Sequence, residues 1–592
     1  MTRRIAILPF LFVIALPLFA QKTSGTVAGR IDGAKIVELR RGTVVVARAT
    51  AHEGRFRLEV PAGRYELYVD GTASREVIVS PGIVTGLDPS HVDAESPLLA
   101  VTFDSKLIEG LPAETPAELA NRTAPGGSKL WILHGGPFLD VNSDGIHIGQ
   151  VFFTDTAEFI ESESVKSGGH GAEYGRAQAG ILDVVTRNTI APLNATAFFY
   201  YRPWDDAFGG TYAGFTAGGP VVRDRLFAFA GYERSRFEYE DSFVATQRHH
   251  FTSDKVLLKG DYLASPSANV SATAVGVHSI HEAGANATIM RGDTIVDVTA
   301  SHRSSFWPVE FATDVLRIGA THSIGDHVIR AGGEELLRET VFYPVNHGAY
   351  APPETATRSN PALWIADTWY AGNAIVVNGG VRRQSFYGDG AHWEPRLAVM
   401  WRPDGGAVHL AASYGKYTGD WQLGFISQHD VYELTDTIGE ISVPRAGLAA
   451  RLIHRSTDFR RIELSLPYVQ QLSTHFDGVE LEWTRRFQQT SLQTSYVRGR
   501  NHYPLASVDT DTAKLLVTTT LAKLDLGAVA TYDSSPAYTP LPSDSSSTRV
   551  DLRAAYRVID SLTLIADAIN ITDDEAHTFD RRSFRAGVQW RH

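Results

Sequence analysis

The chain has 592 residues, a formal net charge of −12 and no cysteine; it is 43% hydrophobic and 10% aromatic, with 22 Tyr and 10 Trp. That length exceeds one compact soluble core, so two or three domains or one very large barrel are expected. The acidic balance leaves no basic excess for phosphates and excludes nucleic acid as a partner, while the missing thiols exclude disulfides, thiolate nucleophiles, zinc–cysteine sites and a lipid-modified cysteine.

At the N-terminus, Arg3 and Arg4 precede an almost unbroken apolar run from Ile5 to Phe19, and Ala20 followed by Gln21 offers a cleavage point. Residues 1–20 therefore read as a secretion signal, too short for a membrane span and without a stop-transfer flank. Beyond it, no stretch reaches the ~20 apolar residues that a transmembrane helix needs. A chain without cysteine also suits export through an oxidising compartment.

Residues 21–90 read as short strands with turn punctuation. Val44, Val46 and Ala49 share one strand; Phe56 and Leu58 follow the Glu53-Gly54 turn; Tyr65, Leu67 and Val69 follow Pro61-Ala62-Gly63. Pro presets the turn entry and Gly supplies a positive φ, so a small antiparallel β-sandwich is expected. Ser24-Gly25-Thr26-Val27, Gly54-Arg55-Phe56 and the run from Val60 to Leu67 resemble the carboxypeptidase-regulatory-like domain. That resemblance implies a structural and binding module without peptidase chemistry.

Residues 91–190 carry fewer aromatics, more glycine and a mixed α/β pattern. Three segments stand out. The first runs from Asp93 through Leu99 and on from Asp104 to Pro112. The second joins the Asp144-Gly145 turn to Ala157-Glu158-Phe159-Ile160-Glu161. The third is Gly171-Ala172-Glu173-Tyr174-Gly175-Arg176, continuing through Gly180 to Arg187. Together they resemble the plug domain of Oar-like TonB-dependent receptors, and the third is the most specific, because in that family it closes the plug and leads into the barrel. The stretch around Leu130 to Phe138 departs from the family pattern, being short and without its Arg-Gly signature.

From residue 191 to residue 592 the pattern has period two. Val550, Leu552, Ala554, Tyr556 and Val558 alternate with Asp551, Arg553, Ala555 and Arg557. Phe584, Ala586, Val588 and Trp590 alternate with Arg585, Gly587, Gln589 and Arg591. Val479, Leu481 and Trp483 alternate with Glu480, Glu482 and Thr484. Side chains on a strand point to opposite faces in turn, so one face is apolar and aromatic and the other charged. That is the pattern of a membrane barrel with a wet lumen. About 400 residues at roughly 18 per strand and connection give about 22 strands. Thr216 to Val222 with Arg225 to Phe229, and Leu562-Thr563-Leu564 with Asp567, Asn570 and Thr572, resemble strands of the same receptors. The expected fold is thus all-β dominated: a large transmembrane antiparallel β-barrel, a small α/β plug and an N-terminal β-sandwich.

Two sets of barrel residues follow. Gly587, Val588 and Trp590 fit the terminal signal read by the barrel-assembly machinery, with His592 where Phe is usual. Glu480, Glu482, Arg553, Arg557, Arg585 and Arg591 are the expected lumen charges for plug contact. Enzyme chemistry finds no support: there is no Gly-x-Ser-x-Gly, no phosphate loop and no zincin histidine pair. Asp140, Asn142, Asp144 and Gly145 imitate the start of a calcium loop, but its twelfth position is Val151 where a bidentate Glu is required, so a polar turn is expected. His249 and His250 point apart on an extended backbone and read as solvated. Neither metal nor cofactor is expected.

The receptor resemblance implies active import of a scarce solute across the outer membrane, energised by the TonB-ExbB-ExbD complex. TonB would pair, by strand addition, with an extended segment before the plug: Ile83-Val84-Thr85-Gly86, or alternatively Leu99-Ala100-Val101-Thr102. A surface binding or adhesion protein that keeps the barrel only as an anchor is the other reading. The solute stays open, because loop specificity carries no recognisable code.

Overall fold

The computed structural model describes the chain from Ser24 to His592 apart from a set of interruptions. Before the barrel these are 31–35, 42–43, 51–54, 62, 80–83, 87–98, 113–126, 129–131, 134–135, 138–139, 145, 148–155, 176–179 and 188–192. Within it they are 206–207, 241–247, 266–267, 278–279, 292, 306–310, 343–344, 347–348, 351–353, 373, 387–389, 404–407, 422–429, 446–447, 462–472, 488, 504–505, 535–545 and 573–581. The secretion signal, His249's and His250's side chains and most of the 130–138 stretch lie outside what is described.

Two small sheets open the chain. Arg55–Pro61 pairs antiparallel with Ser24–Arg30, whose other edge carries Val84–Gly86 in parallel. Val44–Thr50, Ile36–Arg41, Gly63–Val69 and Thr72–Val79 form the second sheet in that order. Alternate residues of both, Val27, Leu39, Phe56, Leu58, Tyr65 and Leu67, enclose one core. This is the expected strand pattern: Phe56 with Leu58 and Tyr65 with Leu67 share a face because they are two apart.

Residues from Asn194 onward close a barrel in which each strand pairs antiparallel with the next. The His327–Phe342 strand pairs with both Glu354–Ser359 and Ala362–Ala371. Those two pieces are one strand interrupted at Asn360-Pro361, where proline has no N–H to give the ladder; counted as one, they make a barrel of 22 strands. Closure comes from Asn194–Asp205 lying against Ser583–Arg591, with Thr196 opposite Arg591 and Tyr201 opposite Ala586.

Connections are tight at the end where the chain enters the barrel. Asp224, Gly325, Gly372 and Ala522 there take positive φ of 61°, 56°, 64° and 56°, as short hairpin turns demand. At the far end the strand ends stand further apart in sequence, as with Arg461 and Ser473. The outer face is apolar: Phe199, Phe215, Leu258, Leu316, Leu452, Leu481 and Leu564 all stand exposed. Trp369, Trp393, Trp401 and Trp590 join them on that face, as a girdle against lipid would. Trp364 instead points inward and is buried.

Inside the barrel lies a five-stranded mixed sheet: Ile146–His147, Asp140–Ser143, Ile181–Thr186, Ile160–Gly168 and Leu99–Asp104, in that order, with the short helix Ser105–Gly110. Its apolar face is Phe103, Val165, Leu182 and Val184, packed on Leu516 and Val529 of the wall. Phe159 meets Phe229, Leu257 and Val275, while Tyr174 and Ile181 meet Tyr417, Leu434 and Phe459. Contacts with strands all round the circumference make this domain a plug.

Candidate functional site

A lumen that is occupied needs fastenings, and the sequence supplies them on both partners. Asp144 sits at the turn after Asp140–Ser143 with φ 49°. Its carboxylate accepts from Thr186 N at 2.9 Å and Thr186 Oγ1 at 2.5 Å within the plug. From the wall, Lys259 Nζ donates to it at 2.9 Å and Thr273 Oγ1 at 3.3 Å, and Asn286 Nδ2 donates to the Asp144 carbonyl at 2.7 Å. Three wall strands thus converge on one turn. Of the residues that imitate the start of a calcium loop, Asn142 donates to Asp183 at 2.8 Å and Asp144 holds Lys259.

A second fastening lies at the barrel seam. Glu109 on the plug helix bridges Arg187 and wall Arg591, each at 2.7 Å, and Arg553 Nη1 donates to the Glu109 carbonyl at 2.7 Å. Burial would raise the Glu109 carboxyl, but the two guanidiniums outweigh it and hold the group below its ordinary range. Glu158 accepts from Tyr200 and, at 3.1 Å, from Gln589 Nε2.

The third contact is different in kind. The loop between Ile160–Gly168 and Ile181–Thr186 holds Gly171, Ala172, Glu173, Tyr174 and Gly175, all buried. Wall Arg396 donates to the Gly171 carbonyl, and Arg455 Nη1 donates to the Ser167 carbonyl at 2.6 Å. Both guanidiniums also bind wall carboxylates: Arg396 to Glu394 at 2.7 Å, Arg455 to Asp436 at 2.9 Å and to Glu480 at 2.8 Å. His170 stacks on Tyr417 with ring centres 4.4 Å apart. Burial, then the charges of Arg396, Lys166 and Arg455, push its imidazole well below the ordinary range. Ala172 packs on Trp364 and Ala366. A Cβ on Gly168 would overlap Ile438, and one on Gly175 would overlap the Arg382 guanidinium. The glycines are there because the loop backbone touches the wall.

Sequence expectation and structure compare as follows at the remaining residues. Of the lumen charges, Arg553 and Arg591 touch the plug, and Glu480 orients Arg455, which does. Glu482 lies 3.7 Å from Arg451, Arg585 pairs with Asp567, and Arg557 meets Asp525 at 3.7 Å; these are wall-to-wall pairs. Gly587 lies under the Tyr200 ring, which leaves no room for a Cβ. Val588 faces Phe199 in the seam, Trp590 stacks on His592, and His592 N donates to the Ala195 carbonyl at 2.9 Å. Val84, Thr85 and Gly86 form the edge strand beside Thr26, Val27 and Ala28, while Leu99 to Thr102 belong to the plug sheet. Ile83 and Arg176 lie outside the described residues.

Sequence reasoning missed Lys259, Arg396 and Arg455. Each occupies an inward position of an alternating strand, so the same period-two reading, extended to every strand, finds them. Among the described residues no group of His, Asp and Glu gathers as a metal site.

No known protein-family profile matches the chain, and no curated protein matches it in sequence. Solved structures do match. The siderophore receptor PirA from Pseudomonas aeruginosa superposes with a TM-score of 0.66 at 14% identity, over 83% of this chain and 99% of that one. The likeness is one of fold. The FrpB iron transporter from Neisseria meningitidis gives 0.66 at 12% identity over 83% and 99%. FpvA of P. aeruginosa bound to heterologous pyoverdines gives 0.65 at 12% identity over 87% of each chain.

Proposed function

We propose that this chain is an outer-membrane receptor that imports a solute through its barrel by displacing the plug, with work delivered by the TonB-ExbB-ExbD complex. The observation that carries this reading is the plug itself. A domain held by Asp144, Glu109, Glu158 and the 167–175 loop closes the lumen, so a passive pore is a poor use of the architecture. Each fastening is a handful of hydrogen bonds around a folded domain, the kind of contact that a pull through the near end can break.

The near end is then periplasmic, and the N-terminal sandwich hangs below it as a docking module of the carboxypeptidase-regulatory-like kind. Val84–Gly86 would receive TonB by strand addition on the edge that Ser24–Arg30 leaves open. The solved neighbours handle siderophores and iron, which makes ferric siderophores the first ligand class to assay. The chain would reach the membrane through the barrel-assembly machinery, with Gly587, Val588 and Trp590 as the signal.

One observation favours the second reading, a surface anchor without energised transport: Val84–Gly86 is already paired along one edge. Two measurements decide between them. Uptake of a panel of ferric siderophores should require an energised inner membrane, and the TonB periplasmic domain should be captured by the full chain but not by a variant lacking residues 83–103. Uptake that survives collapse of the proton-motive force, or equal capture by both chains, defeats the import reading.

A further inference from the structure

One buried acid plays no part in the fastenings. Glu163 stands mid-strand in Ile160–Gly168, opposite Phe103 on one side and Val184 on the other. Residues directly opposite share a face, so its carboxyl points into the layer where Phe103, Val165, Leu182 and Val184 pack on wall residues Leu516 and Val529. Glu163 has no exposure to solvent, and among the described residues neither carboxyl oxygen has a hydrogen-bond partner.

Among the described residues, the ionisable groups on the surrounding elements are engaged elsewhere. Glu161, at the bulge between Ile160 and Ser162, lies 3.4 Å from Ser105 Oγ. Glu109 on the helix holds Arg187 and Arg591. Asp183 projects from the opposite face and binds Lys166. On the wall, Lys514 has Asp533 as its opposing charge. An ionised carboxylate in that layer would be a buried charge without a counter-ion, which proteins avoid by taking up a proton. Burial alone, with no charged neighbour contributing, pushes the Glu163 carboxyl well above its ordinary range.

We propose that Glu163 is a proton-linked release group: it is a neutral carboxylic acid while the plug is docked and gives its proton to water when the plug leaves the wall. Docking therefore binds one proton at this residue, and undocking frees it to the periplasm. The sign follows from linkage. Docking is at full strength below the ordinary Glu pKa of about 4.3 and weakens as the pH rises towards the docked value, by up to about tenfold per pH unit. His170 acts with the opposite sign below about pH 7 and drops out above it, where its imidazole is neutral whether the plug is docked or free.

The use of this linkage in transport rests on the import reading; the chemistry does not. Infrared spectroscopy of the full chain in lipid at neutral pH should show the carbonyl stretch of an unbonded carboxylic acid, and Glu163→Gln should remove it. Ion leakage through planar bilayers, measured from about pH 7.5 to about pH 9 so that His170 stays neutral, should rise with pH in the parent and stay flat in Glu163→Gln and Glu163→Met. A missing acid band in the parent, or variants that keep the parent's pH slope, overturns the proposal. Failed solute uptake with the band and slope intact counts against the import reading alone.

Discussion

The plug meets its barrel in two ways, and the difference lies in which partner brings the charge. On the side of strands Arg248–Ser265 to Ile280–Arg291 and at the seam, the plug extends carboxylates, Asp144 and Glu109, to wall cations Lys259 and Arg591. On the side of Gly390–Trp401 and Leu448–Arg461 the wall brings the charge and its own counter-charges, and the plug offers carbonyls of Ser167 and Gly171 together with the His170 ring. Separation at Asp144 strands charged groups of both partners, while at the seam Glu109 keeps Arg187. Separation on the second leaves Arg396 with Glu394, and Arg455 with Asp436 and Glu480. Broken bonds are costly when they leave a buried charge unpaired, so the first side should hold longest.

The largest effect should come from removing a wall cation on the charged side. Lys259 and Asp144 are 8% and 7% exposed in their side chains, so Lys259→Met leaves a buried carboxylate with Thr186 and Thr273 as its hydrogen-bond partners among the described residues. Loss of one partner from such a pair costs about 3 kcal/mol or more. The variant should leak ions and a large antibiotic through a barrel that remains folded and heat-stable. A Lys259→Met barrel as tight as the parent would erase the asymmetry between the two sides.

How far this was legible in the sequence differs between wall and plug. Period two gives the wall directly, because each strand repeats one binary choice between lipid and lumen: Glu480 inward and Leu481 outward, Arg585 inward and Phe584 outward. The strand number followed from length. The plug has no such repeat. Its fastening residues, Asp144 at a turn and Glu109 on a six-residue helix, are fixed by tertiary docking, and nothing local distinguishes them from solvated polar residues. Glycine was the partial exception. Gly171 and Gly175 stood out as a motif: the close approach of the Gly175 backbone to Arg382 needed the wall to be in place, whereas a Cβ on Gly171 would meet the plug's own Glu173.

An intermediate effect should come from that approach. Gly175→Val drives a branched side chain into the space of the Arg382 guanidinium, which is fully buried, and overpacking of this kind costs about 1–3 kcal/mol. Protease should cut the plug in Gly175→Val faster than in the parent but slower than in Lys259→Met. The reverse order would make the glycine loop the stronger hold.

The smallest effect, and the one that isolates the uncharged side, is a pH dependence at His170. Both ring nitrogens are buried without a hydrogen-bond partner among the described residues, and Arg396, Lys166 and Arg455 lie around the ring. Its docked pKa is lowered, so its contribution to docking is whole above the ordinary His value of about 6.5 and is lost as the pH falls below it, by up to about 1.4 kcal/mol per unit. His170→Phe keeps a ring on Tyr417 and has nothing to protonate. Measured in a Glu163→Gln background, where the opposing proton uptake is removed, plug proteolysis should therefore quicken between about pH 7 and about pH 5, while adding His170→Phe holds the neutral rate. Glu109 cannot supply that acid response in its place, because its lowered carboxyl keeps its charge until the pH falls further. An unchanged acid response in His170→Phe would move the switch off this loop and leave the two sides distinguished by charge alone.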